Sequence, residues 1–269
     1  MGGRVEGKVA FITGAARGQG RSHAVRLAEE GADIVAVDIC HDYDPVRYGL
    51  ATPADLDLTV KAVRDLGRRI VAIQADVRDA DGLRAAVDAG VAELGRLDVV
   101  CANAGICVAY EWDQVPAQVW QDILDTNLTG VWNTMVAAAP HLIAAGGGSI
   151  ICTGSTASVK GLPFLAPYVA AKHGIVGIAR SLANELGPSG VRVNVVVPAG
   201  VDTAMSQGLD SLHRLIDDRP DLGALYTNAL PVRYMDPRDV SDTVLFLASD
   251  ESRYVTGLVL TVDAGNAIR

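Results

Sequence analysis

The sequence predicts an α/β fold: a single domain in which a doubly wound, parallel, seven-stranded sheet carries helices on both faces. Two observations support this prediction. Short apolar runs, typical of buried strands, alternate with alanine-rich helical runs along all 269 residues, and such alternation is typical of a parallel sheet. No repeat or low-complexity linker divides the chain. The expected strands are Lys8–Thr13, Asp33–Asp38, Ile70–Ala75, Leu97–Cys101, Ser149–Thr153, Val191–Val197 and Leu258–Val262.

The first strand is followed by a turn rich in glycine. This turn, GAARGQG at residues 14–20, leads into a helical pattern that continues to Glu30. Glycines allow a tight turn and a close backbone approach, and the N-terminus of the helix offers free N–H groups to a phosphate. Asp38 closes the second strand, about 20 residues further on, where a carboxylate can accept hydrogen bonds from an adenosine ribose. These elements predict a Rossmann fold that binds a dinucleotide.

Asp38 also bears on which dinucleotide binds. A carboxylate at the 2′ position of the ribose accepts a hydrogen bond from a hydroxyl group and repels a phosphate group. Arg17, in the turn, argues the other way because a basic residue there can hold a 2′-phosphate. Two like charges a few ångströms apart cost more than one flexible arginine contributes. We therefore expect NAD rather than NADP.

Ser155, Tyr168 and Lys172 have a spacing typical of an acid–base site. Residues Pro167–Leu186 form a predicted helix, so Tyr168 and Lys172 stand one turn apart on one face. A nearby positive charge favours the phenolate and lowers the pKa of a tyrosine. Ser155 ends a predicted strand, where its hydroxyl can hold a substrate oxygen. On the Tyr-x-x-x-Lys spacing alone, an ordinary surface pair on a helix is an equally good interpretation.

Five motifs in order along the chain resemble those of the short-chain dehydrogenase/reductase family. They are the glycine turn, an adenine-side pair at residues 76–77, a turn after the fourth strand at residues 103–105, the catalytic group and a nicotinamide segment that begins at Pro198. The sequence departs from the family pattern at Ala102, where a second asparagine is common, and at Ala199, which replaces a glycine. The resemblance implies a cofactor site made of Gly14, Arg17, Gly18, Gln19, Gly20, Asp38, Asp76, Val77, Asn103, Ala104, Gly105, Tyr168, Lys172, Pro198, Gly200, Val201 and Thr203.

The resemblance further implies a catalytic tetrad and a reaction, hydride transfer between a secondary alcohol or ketone and the nicotinamide of NAD. Tyr168 is expected to act as the general base in alcohol oxidation, or as the general acid in ketone reduction. Lys172 is expected to lower the pKa of that tyrosine and to bind the nicotinamide ribose, while Ser155 orients the substrate oxygen. Asn127 is expected to hold a water molecule that links Lys172 to solvent.

Two segments exceed the minimal pattern of this fold. Residues Ile39–Asp57 contain two tyrosines and two prolines, so we expect a long, ordered loop that covers the adenosine end of the cofactor. A surface elaboration that touches nothing is the alternative. Residues 204–231 carry apolar side chains at helical spacing. The family resemblance implies a mobile lid over the substrate there, and a helix pair packed on the core is the alternative.

The predicted substrate pocket is mostly apolar and contains no arginine that could bind a carboxylate or phosphate. We therefore expect a hydrophobic alcohol, such as a terpenoid or steroid. The N-terminal segment and the insertion after it resemble carveol-dehydrogenase-like enzymes that are coupled to the redox cofactor mycofactocin, which implies an external redox carrier. The pocket residues are expected to be Cys107, Val108, Val159, Leu162, Met205 and Leu209.

Two other functions and one assembly state follow from the same resemblance. A 3-oxoacyl reductase or another ketone reductase of the family is the first alternative. The second is a catalytically idle NAD-binding subunit with a regulatory or structural role, against which the complete tetrad argues. The family builds a four-helix interface from helices that correspond to Gln118–Ala145 and Tyr168–Leu186, so we expect a homotetramer.

Composition narrows the classes of partner. The net charge of −9 argues against nucleic acids and anionic membranes. No apolar stretch reaches about 18 residues, and the first strand begins too early for a secretory signal, so we expect a cytoplasmic protein. The four cysteines form no C-x-x-C pair and the five histidines lack metal-ligand spacing, so no metal is expected.

Overall fold

The computed structural model describes residues 2–44, 46 and 48–269 of the chain. Its strands within these residues are β1 (Val9–Thr13), β2 (Asp33–Asp38), β3 (Ile70–Gln74), β4 (Val99–Ala102), β5 (Gly148–Thr153), β6 (Val191–Pro198) and β7 (Val259–Val262). They form one parallel sheet in the order β3-β2-β1-β4-β5-β6-β7. This architecture confirms the predicted α/β Rossmann fold. The observed strand bounds differ from the predicted ones by no more than two residues at either end.

Helices cover both faces of the sheet. Within the described residues they are α1 (Gly18–Glu29), α2 (Pro53–Asp65), α3 (Ala80–Leu94), α4 (Ala117–Leu124), α5 (Gly130–Ala144), α6 (Ala166–Leu186), α7 (Ala204–Gln207), α8 (Asp210–Asp218), α9 (Pro220–Gly223) and α10 (Pro237–Ala248). Helices α1, α2 and α10 pack on one face, whereas α3, α5 and α6 pack on the other. None of these helices is both long enough and apolar enough to cross a membrane.

The central strands are largely apolar and buried because both faces of the sheet are covered there. Every residue of β1 is buried. Successive side chains of a strand point to opposite faces, so Ile12 packs in the layer of α1 while Phe11 packs in the layer of α3. This two-sided burial explains why continuous apolar runs, rather than alternating ones, predicted the strands.

The strand order reverses at β1, which pairs with β2 on one side and with β4 on the other. In open parallel sheets, ligands bind at such a switch point, outside the carboxyl ends of the strands. Thr13, Asp38 and Ala102 end these three strands. The fold therefore brings the glycine turn, the acidic residue and the segment after β4 to one edge.

The irregular part of the insertion ends at Thr52, so the prediction that the loop extends to Asp57 is wrong. Helix α2 begins at Pro53. The Thr52 side chain accepts a hydrogen bond from the Asp55 N–H group (3.3 Å), and Asp55 accepts one from the Thr52 N–H group (2.8 Å). This capping box, with proline in the first turn, is a local signal that starts a helix. Pro45 and Arg47, inside the predicted insertion, lie outside the described residues.

The predicted helix Gln118–Ala145 contains a break in its regular pattern. A π-helical turn at Asp125–Thr129 joins α4 to α5. Asn127 lies in this turn and is fully buried. Wide turns of this kind often mark functional sites because they change the direction of a side chain within a helix. The second predicted helix, Pro167–Leu186, agrees with α6 to within one residue.

Candidate active site

Two connected cavities open at the carboxyl-terminal edge of the sheet. A narrow cleft of about 170 Å³ is lined in part by the glycine turn (residues 14–20) and by Asp38. A larger cavity of about 510 Å³ contains Ser155, Tyr168 and Lys172. Five residues line both the cleft and the larger cavity, so a ligand bound in the cleft can extend into the larger cavity. The shared residues are Gln19, Asn103, Gly105, Thr203 and Met205.

The glycine turn has the geometry of a phosphate site. Gly14 and Gly18 have φ angles of 67° and 55°, in the left-handed region that favours glycine. A Cβ atom on Gly20 would lie 2.0 Å from the Gly14 carbonyl oxygen. The first turn of α1 can therefore pack against the glycine turn only if residue 20 has no side chain. Arg17 gives α1 no side-chain cap, and the buried Oε1 atom of Gln19 has no partner among the described residues. Uncapped N–H groups and an unpaired acceptor fit a bound dinucleotide, which would complete both.

Asp38 is held rigidly at the end of β2. Its Oδ2 atom accepts a hydrogen bond from the Ala16 N–H group (3.0 Å), and its Oδ1 atom accepts one from Cys40 (3.2 Å). A carboxylate has further lone pairs for a ribose hydroxyl. Arg17, the residue that argued for NADP, donates instead to the Gly49 carbonyl oxygen in the insertion. Asp38 therefore offers free carboxylate lone pairs to the cleft, whereas the Arg17 guanidinium is bound to the insertion.

Asp76 and Val77 line the cleft, as the resemblance implied. The carboxylate of Asp76 also accepts two hydrogen bonds from the Nε atom of Arg78, at 3.0 and 2.9 Å. The Arg78 guanidinium lies 3.8 Å from the centroid of the Tyr43 ring, and the Tyr43 hydroxyl donates to Asp122. The sequence did not reveal this chain of contacts because it joins three separate segments. It ties the insertion to the adenine side of the cleft.

The segment after β4 is fastened to β1 and β5. The hydroxyl oxygen of Thr13 accepts hydrogen bonds from the N–H groups of Asn103 (3.0 Å) and Ala104 (3.1 Å). The Asn103 amide donates to the Thr13 carbonyl oxygen (3.0 Å), and its oxygen accepts from the Thr153 hydroxyl (3.2 Å). These bonds fix the floor shared by the two cavities.

The predicted nicotinamide segment follows β6. Pro198, Gly200, Val201 and Thr203 all line the larger cavity, and Thr203 also reaches the cleft. A Cβ atom on Gly18 would lie 3.3 Å from a methyl carbon of Thr203. The segment therefore closes over the glycine turn, where it forms the boundary between the cleft and the larger cavity.

Lys172 is a buried cation. Its side chain is 3% exposed, and its Nζ atom donates to the Thr153 carbonyl oxygen at 2.7 Å. Burial lowers the pKa of Lys172 to about 8, although the thiols of Cys107 and Cys152 act in the opposite direction. An ammonium group has three donors. Two are thus available to hydroxyl groups of a ligand.

Tyr168 does not have the lowered pKa that the sequence suggested. Burial raises the pKa of its phenol, the Cys107 thiol adds to the rise, and the Ser155 hydroxyl opposes it. The Lys172 ammonium lies 5.4 Å from the centroid of the Tyr168 ring. Among the protein's own groups, desolvation of the phenolate therefore outweighs the lysine charge. The expectation of a lowered pKa is wrong for the protein chain alone.

Ser155 follows the end of β5 and lines the same cavity as Tyr168. Its hydroxyl oxygen accepts a hydrogen bond from the Ala157 N–H group (3.2 Å), and its own N–H group donates to the Ser158 hydroxyl (3.2 Å). These contacts start a short 3₁₀ turn and hold the serine in place. Its hydroxyl proton is then available to a substrate oxygen.

Asn127 contacts the backbone next to Lys172. Its Oδ1 atom accepts from the Ile106 N–H group and its Nδ2 atom donates to the Ile106 carbonyl oxygen, both at 2.8 Å. A Cβ atom on Gly105 would lie 2.7 Å from Asn127 Oδ1 and 3.8 Å from Lys172 Nζ. Asn127 thus fixes the segment that packs against the lysine. Its expected role in holding a water molecule stays a prediction.

The wall of the larger cavity agrees only in part with the predicted one. Cys107, Leu162, Met205 and Leu209 line it. Two of the predicted residues do not. Val108 packs in a separate apolar cluster behind the cavity, because successive side chains of an extended segment point in opposite directions, and Val159 is 43% exposed on the surface.

The prediction of a pocket without arginine is also wrong. Arg233, just before α10, lines the cavity, and so do further polar residues on and after α8. Local sequence could not reveal them, because they reach the cavity only through the path of residues 204–231. The apolar side chains of this segment pack above Tyr168, where the lid was expected. The polar lining residues missed here are His213, Asp217, Tyr226, Asn228, Arg233 and Tyr234.

Tyr48 connects the insertion to the lid segment. Its hydroxyl oxygen accepts a hydrogen bond from the Cys107 N–H group at 3.1 Å. A Cβ atom on Gly208 would lie 2.2 Å from the Cβ atom of Tyr48, so the tyrosine packs directly on the lid backbone. Tyr48 itself lines the cleft. The insertion and the lid therefore meet above the place where the two cavities join.

The cysteines are packing residues. All four are buried and outside any disulfide, and burial raises the pKa of the Cys107 thiol to about 12, which makes it a poor nucleophile. In residues 2–44, 46 and 48–269, no three histidine, cysteine or acidic side chains come together as a metal site. That the protein needs no metal stays a prediction.

Comparisons with known proteins extend over the whole chain. Residues 14–267 match the family model described as Enoyl-(Acyl carrier protein) reductase. The chain is 48% identical to (-)-trans-carveol dehydrogenase of Rhodococcus erythropolis over 278 residues, which cover 99% of both sequences. It is also similar to a carveol dehydrogenase from Mycobacterium avium crystallised in complex with NAD, with 51% identity, a TM-score of 0.94, and coverage of 99% of this chain and 100% of that one. A short chain dehydrogenase from Mycobacterium paratuberculosis, bound to NAD, shares 48% identity with a TM-score of 0.97, again with 99% and 100% coverage.

Replacement of Lys172 by methionine tests whether the lysine is a buried, uncompensated charge. A shift of the pKa from 10.5 to about 8 costs the folded state on the order of 3 kcal/mol at neutral pH. Because the unfolded chain holds this proton more tightly, wild-type stability should rise between about pH 8 and 10.5. In urea unfolding near pH 7 without nucleotide, Lys172→Met should therefore be more stable than wild type, with a gap that narrows at high pH.

A matched control is Lys61→Met, since Lys61 is exposed and pairs with Asp65 on the surface of α2. This variant should change the unfolding free energy by less than about 1 kcal/mol. A Lys172→Met protein that is less stable than wild type at every pH would show that the ammonium stabilises the fold, contrary to the structure.

Proposed function

Since the chain belongs to the short-chain dehydrogenase/reductase family, we propose that it transfers a hydride between an apolar secondary alcohol, or the matching ketone, and nicotinamide. The protein is an NAD-dependent oxidoreductase. The proposal that the substrate is an apolar alcohol or ketone rests on one observation: Ser155, Tyr168 and Lys172 share one cavity with the apolar side chains of the lid. The carveol dehydrogenase relatives support a terpenoid-like alcohol such as carveol.

Each side chain has a role that its contacts allow. NAD supplies the hydride acceptor for oxidation, or the donor for reduction, when it is bound. Tyr168 exchanges a proton with the substrate oxygen, and Ser155 holds that oxygen through its hydroxyl group. Lys172 offers its remaining donors to ribose hydroxyl groups. The apolar wall excludes water from the reacting centre, which strengthens these interactions.

The raised pKa of Tyr168 bears on the direction of the reaction. A phenol that holds its proton is in the state that donates to a ketone oxygen during reduction. Oxidation requires the phenolate, which the Lys172 ammonium can stabilise only as long as it keeps its own charge. A lysine pKa of about 8 sets the upper limit of that range. Loss of the ammonium charge above this pH should therefore slow oxidation.

An activity assay with Tyr168→Phe tests the proposed function. Carveol and an artificial electron acceptor should give turnover with wild type. Loss of the phenolic proton carrier should lower the rate by 10²–10⁴-fold, in the range of general acid–base catalysis, while nucleotide binding remains nearly unchanged. The ring of Tyr168 keeps its packing in phenylalanine, so a stability difference should not account for the loss. A variant that retains more than about a tenth of the wild-type rate would remove Tyr168 from the mechanism.

A 3-oxoacyl reductase is the second candidate, because the chain is 35% identical over 259 residues to a 3-oxoacyl-[acyl-carrier-protein] reductase of Staphylococcus aureus. The two functions separate in a single experiment. A 3-oxoacyl thioester with NADH should react slowly or not at all if the apolar alcohol is the substrate. Turnover of the thioester but not of any alcohol would favour the second candidate, and turnover of neither would favour an idle NAD-binding subunit.

The contacts of the insertion support its proposed role as a cover over the adenosine end of the cleft. Arg17 binds the Gly49 carbonyl oxygen on one side. Tyr43 is fixed between Arg78 and Asp122 on the other. With these contacts in place, bound NAD leaves only when the cover opens. A retained cofactor must be reoxidised in place, so we include an external redox carrier such as mycofactocin in the proposal.

Tyr43→Ala tests the cover. The change removes the ring on which the Arg78 guanidinium stacks and the hydroxyl that binds Asp122, so NAD should dissociate at least several-fold faster. Tyr43→Phe is the matched control, because it keeps the stack and loses only the hydrogen bond; its effect should be smaller. The measurement is release of bound nucleotide by fluorescence after dilution. Wild-type protein that purifies empty and exchanges NAD at the same rate as Tyr43→Ala would contradict the cover.

The proposed homotetramer is supported by an apolar face on α5. Trp132, Val136 and Ile143 are each about 40% exposed, and their spacing places them along one side of the helix. Trp120 on α4 is exposed to a similar extent. Burial of such a face against its symmetry copy is a common basis of closed homo-oligomers with 222 symmetry.

Light scattering measures the assembly directly. Wild type should have four times the mass of the chain, and Val136→Glu should dissociate it, because a carboxylate would be buried in the interface. Leu58→Glu is a control on the exposed side of α2 and should leave the mass unchanged. A wild-type monomer at micromolar concentration would reject the tetramer.

A further inference from the structure

The larger cavity ends in a polar rim that the hydride-transfer chemistry does not use. Lys172 is buried at its floor, whereas Arg233 is exposed at its mouth. His213 and Asp217, on α8, and Tyr234 complete the rim. Between floor and rim lies an apolar wall. Its α8 side is built from Leu212 and Ile216, with Leu209 just before the helix.

Tyr234 holds the rim together. A Cβ atom on Gly200 would lie 2.9 Å from the Cδ1 atom of the Tyr234 ring, so this ring packs on the nicotinamide segment. The Tyr234 hydroxyl is 3.3 Å from the Nε2 atom of His213, which connects it to the lid. The Arg233 guanidinium carbon lies 5.3 Å from the centroid of the same ring. The guanidinium is thus placed at the mouth by an aromatic ring that is fixed on two sides.

The charge of the cavity contrasts with that of the protein. The fully charged side chains in its lining are Lys172, Arg233 and Asp217, which makes the lining positive by one, while the whole chain has a net charge of −9. Within the described residues Arg233 stacks on Tyr234 and forms no ion pair. A guanidinium has five donors and no acceptor, and it binds a carboxylate through two parallel hydrogen bonds.

These features define a ligand with three parts. A hydroxyl or keto group meets Tyr168 at the floor, an apolar body fills the wall, and an anionic acceptor meets Arg233 at the mouth. The cavity of about 510 Å³ is within the range of about 300–1,000 Å³ that small-molecule sites occupy. We propose that Arg233 determines specificity and that, among the apolar alcohols and ketones of the proposed function, the site prefers those that carry a carboxylate. This inference rests on the proposed function, because it names the substrate class of the same site.

Asp217 restricts where the carboxylate can lie. It is exposed near the C-terminal end of α8, where the helix dipole is also negative. An anion is therefore repelled from the α8 side of the mouth and is confined to the side of Arg233. Arg233 should therefore strengthen the binding of an acidic substrate, and Asp217 should weaken it. Replacement of each residue by a neutral one tests both effects.

A chain-length series measures this specificity. Holoenzyme is assayed with (ω−1)-hydroxycarboxylates from hexanoate to dodecanoate and with their methyl esters, with an artificial electron acceptor. Wild type should prefer the acid over its ester by about tenfold in kcat/KM once the chain is long enough to reach the rim, in the range of a charge-assisted hydrogen bond near solvent. Shorter acids should show no preference.

The variants assign the preference to its residue. Arg233→Leu should bring the acid-to-ester ratio close to one, chiefly by raising KM for the acid. Arg233→Lys should retain part of the preference, and Asp217→Asn should increase it. Arg253→Leu is the matched control, because Arg253 stacks on Tyr254 at 5.1 Å outside the cavity lining; it should leave the ratio unchanged.

Two results would overturn the inference. One is a wild-type enzyme that prefers the ester, or neither compound, at every chain length. The other is an acid preference that survives Arg233→Leu. If carveol, the acids and the esters all fail to react, the proposed function fails instead. Calorimetric binding of the acids and esters to wild type and Arg233→Leu then still decides the role of Arg233, with the same expected ratio in Kd.

Discussion

The buried ammonium group of Lys172 is the constraint on which the site depends. A charge removed from water is costly unless it is paired, and in the described residues no carboxylate forms an ion pair with this lysine. Among the described residues, the one hydrogen bond of its ammonium group is to the Thr153 carbonyl oxygen. The fold tolerates this cost because α6 is anchored by buried residues such as Ile175 and Ala179. A side chain that destabilises the fold and has unused hydrogen-bond donors is typical of a functional position.

The surroundings of Lys172 are built from backbone atoms and neutral side chains. Thr13 joins β1 to the segment after β4, and Asn103 joins that segment to β5 through Thr153. Asn127, in its π-helical turn, binds the backbone of Ile106 in the same segment. Rigid support of this kind holds the lysine near the ring of Tyr168 without neutralising it. The positive charge is thus kept for a ligand, in a protein that is otherwise acidic.

The sequence could predict those parts of the site that depend on local patterns. The strands, the glycine turn, Asp38 and the Tyr168–Lys172 pair each follow from residues close together in the chain. The glycine turn, Asp38 and the pair line the two connected cavities. Thr52 and Asp55 also carry a local signal, the capping box. This signal starts α2 at Pro53 and is visible in the sequence, so it argues against a loop that extends to Asp57.

Other features depend on how distant segments pack, and no local pattern specifies them. The stack of Arg78 on Tyr43 and the contact of Tyr48 with Gly208 each join separate segments. Arg233 reaches the cavity only through the path of the chain after α8. The rise in the pKa of Tyr168 in the protein chain alone could not be predicted for a related reason, since the charge of Lys172 can be read from spacing but the depth of burial cannot.

The ionisation of Lys172 tests the account most directly. The chain has only four lysines, so protein labelled with ¹³C at the lysine ε-carbon gives few signals. The signal that is missing from the spectrum of Lys172→Met belongs to Lys172. In an NMR titration of wild type from which nucleotide has been removed, the account predicts that this signal titrates with a pKa of about 8. A pKa near the ordinary lysine value of about 10.4 would show that the ammonium is solvated or paired, and would contradict the buried charge at the centre of the site.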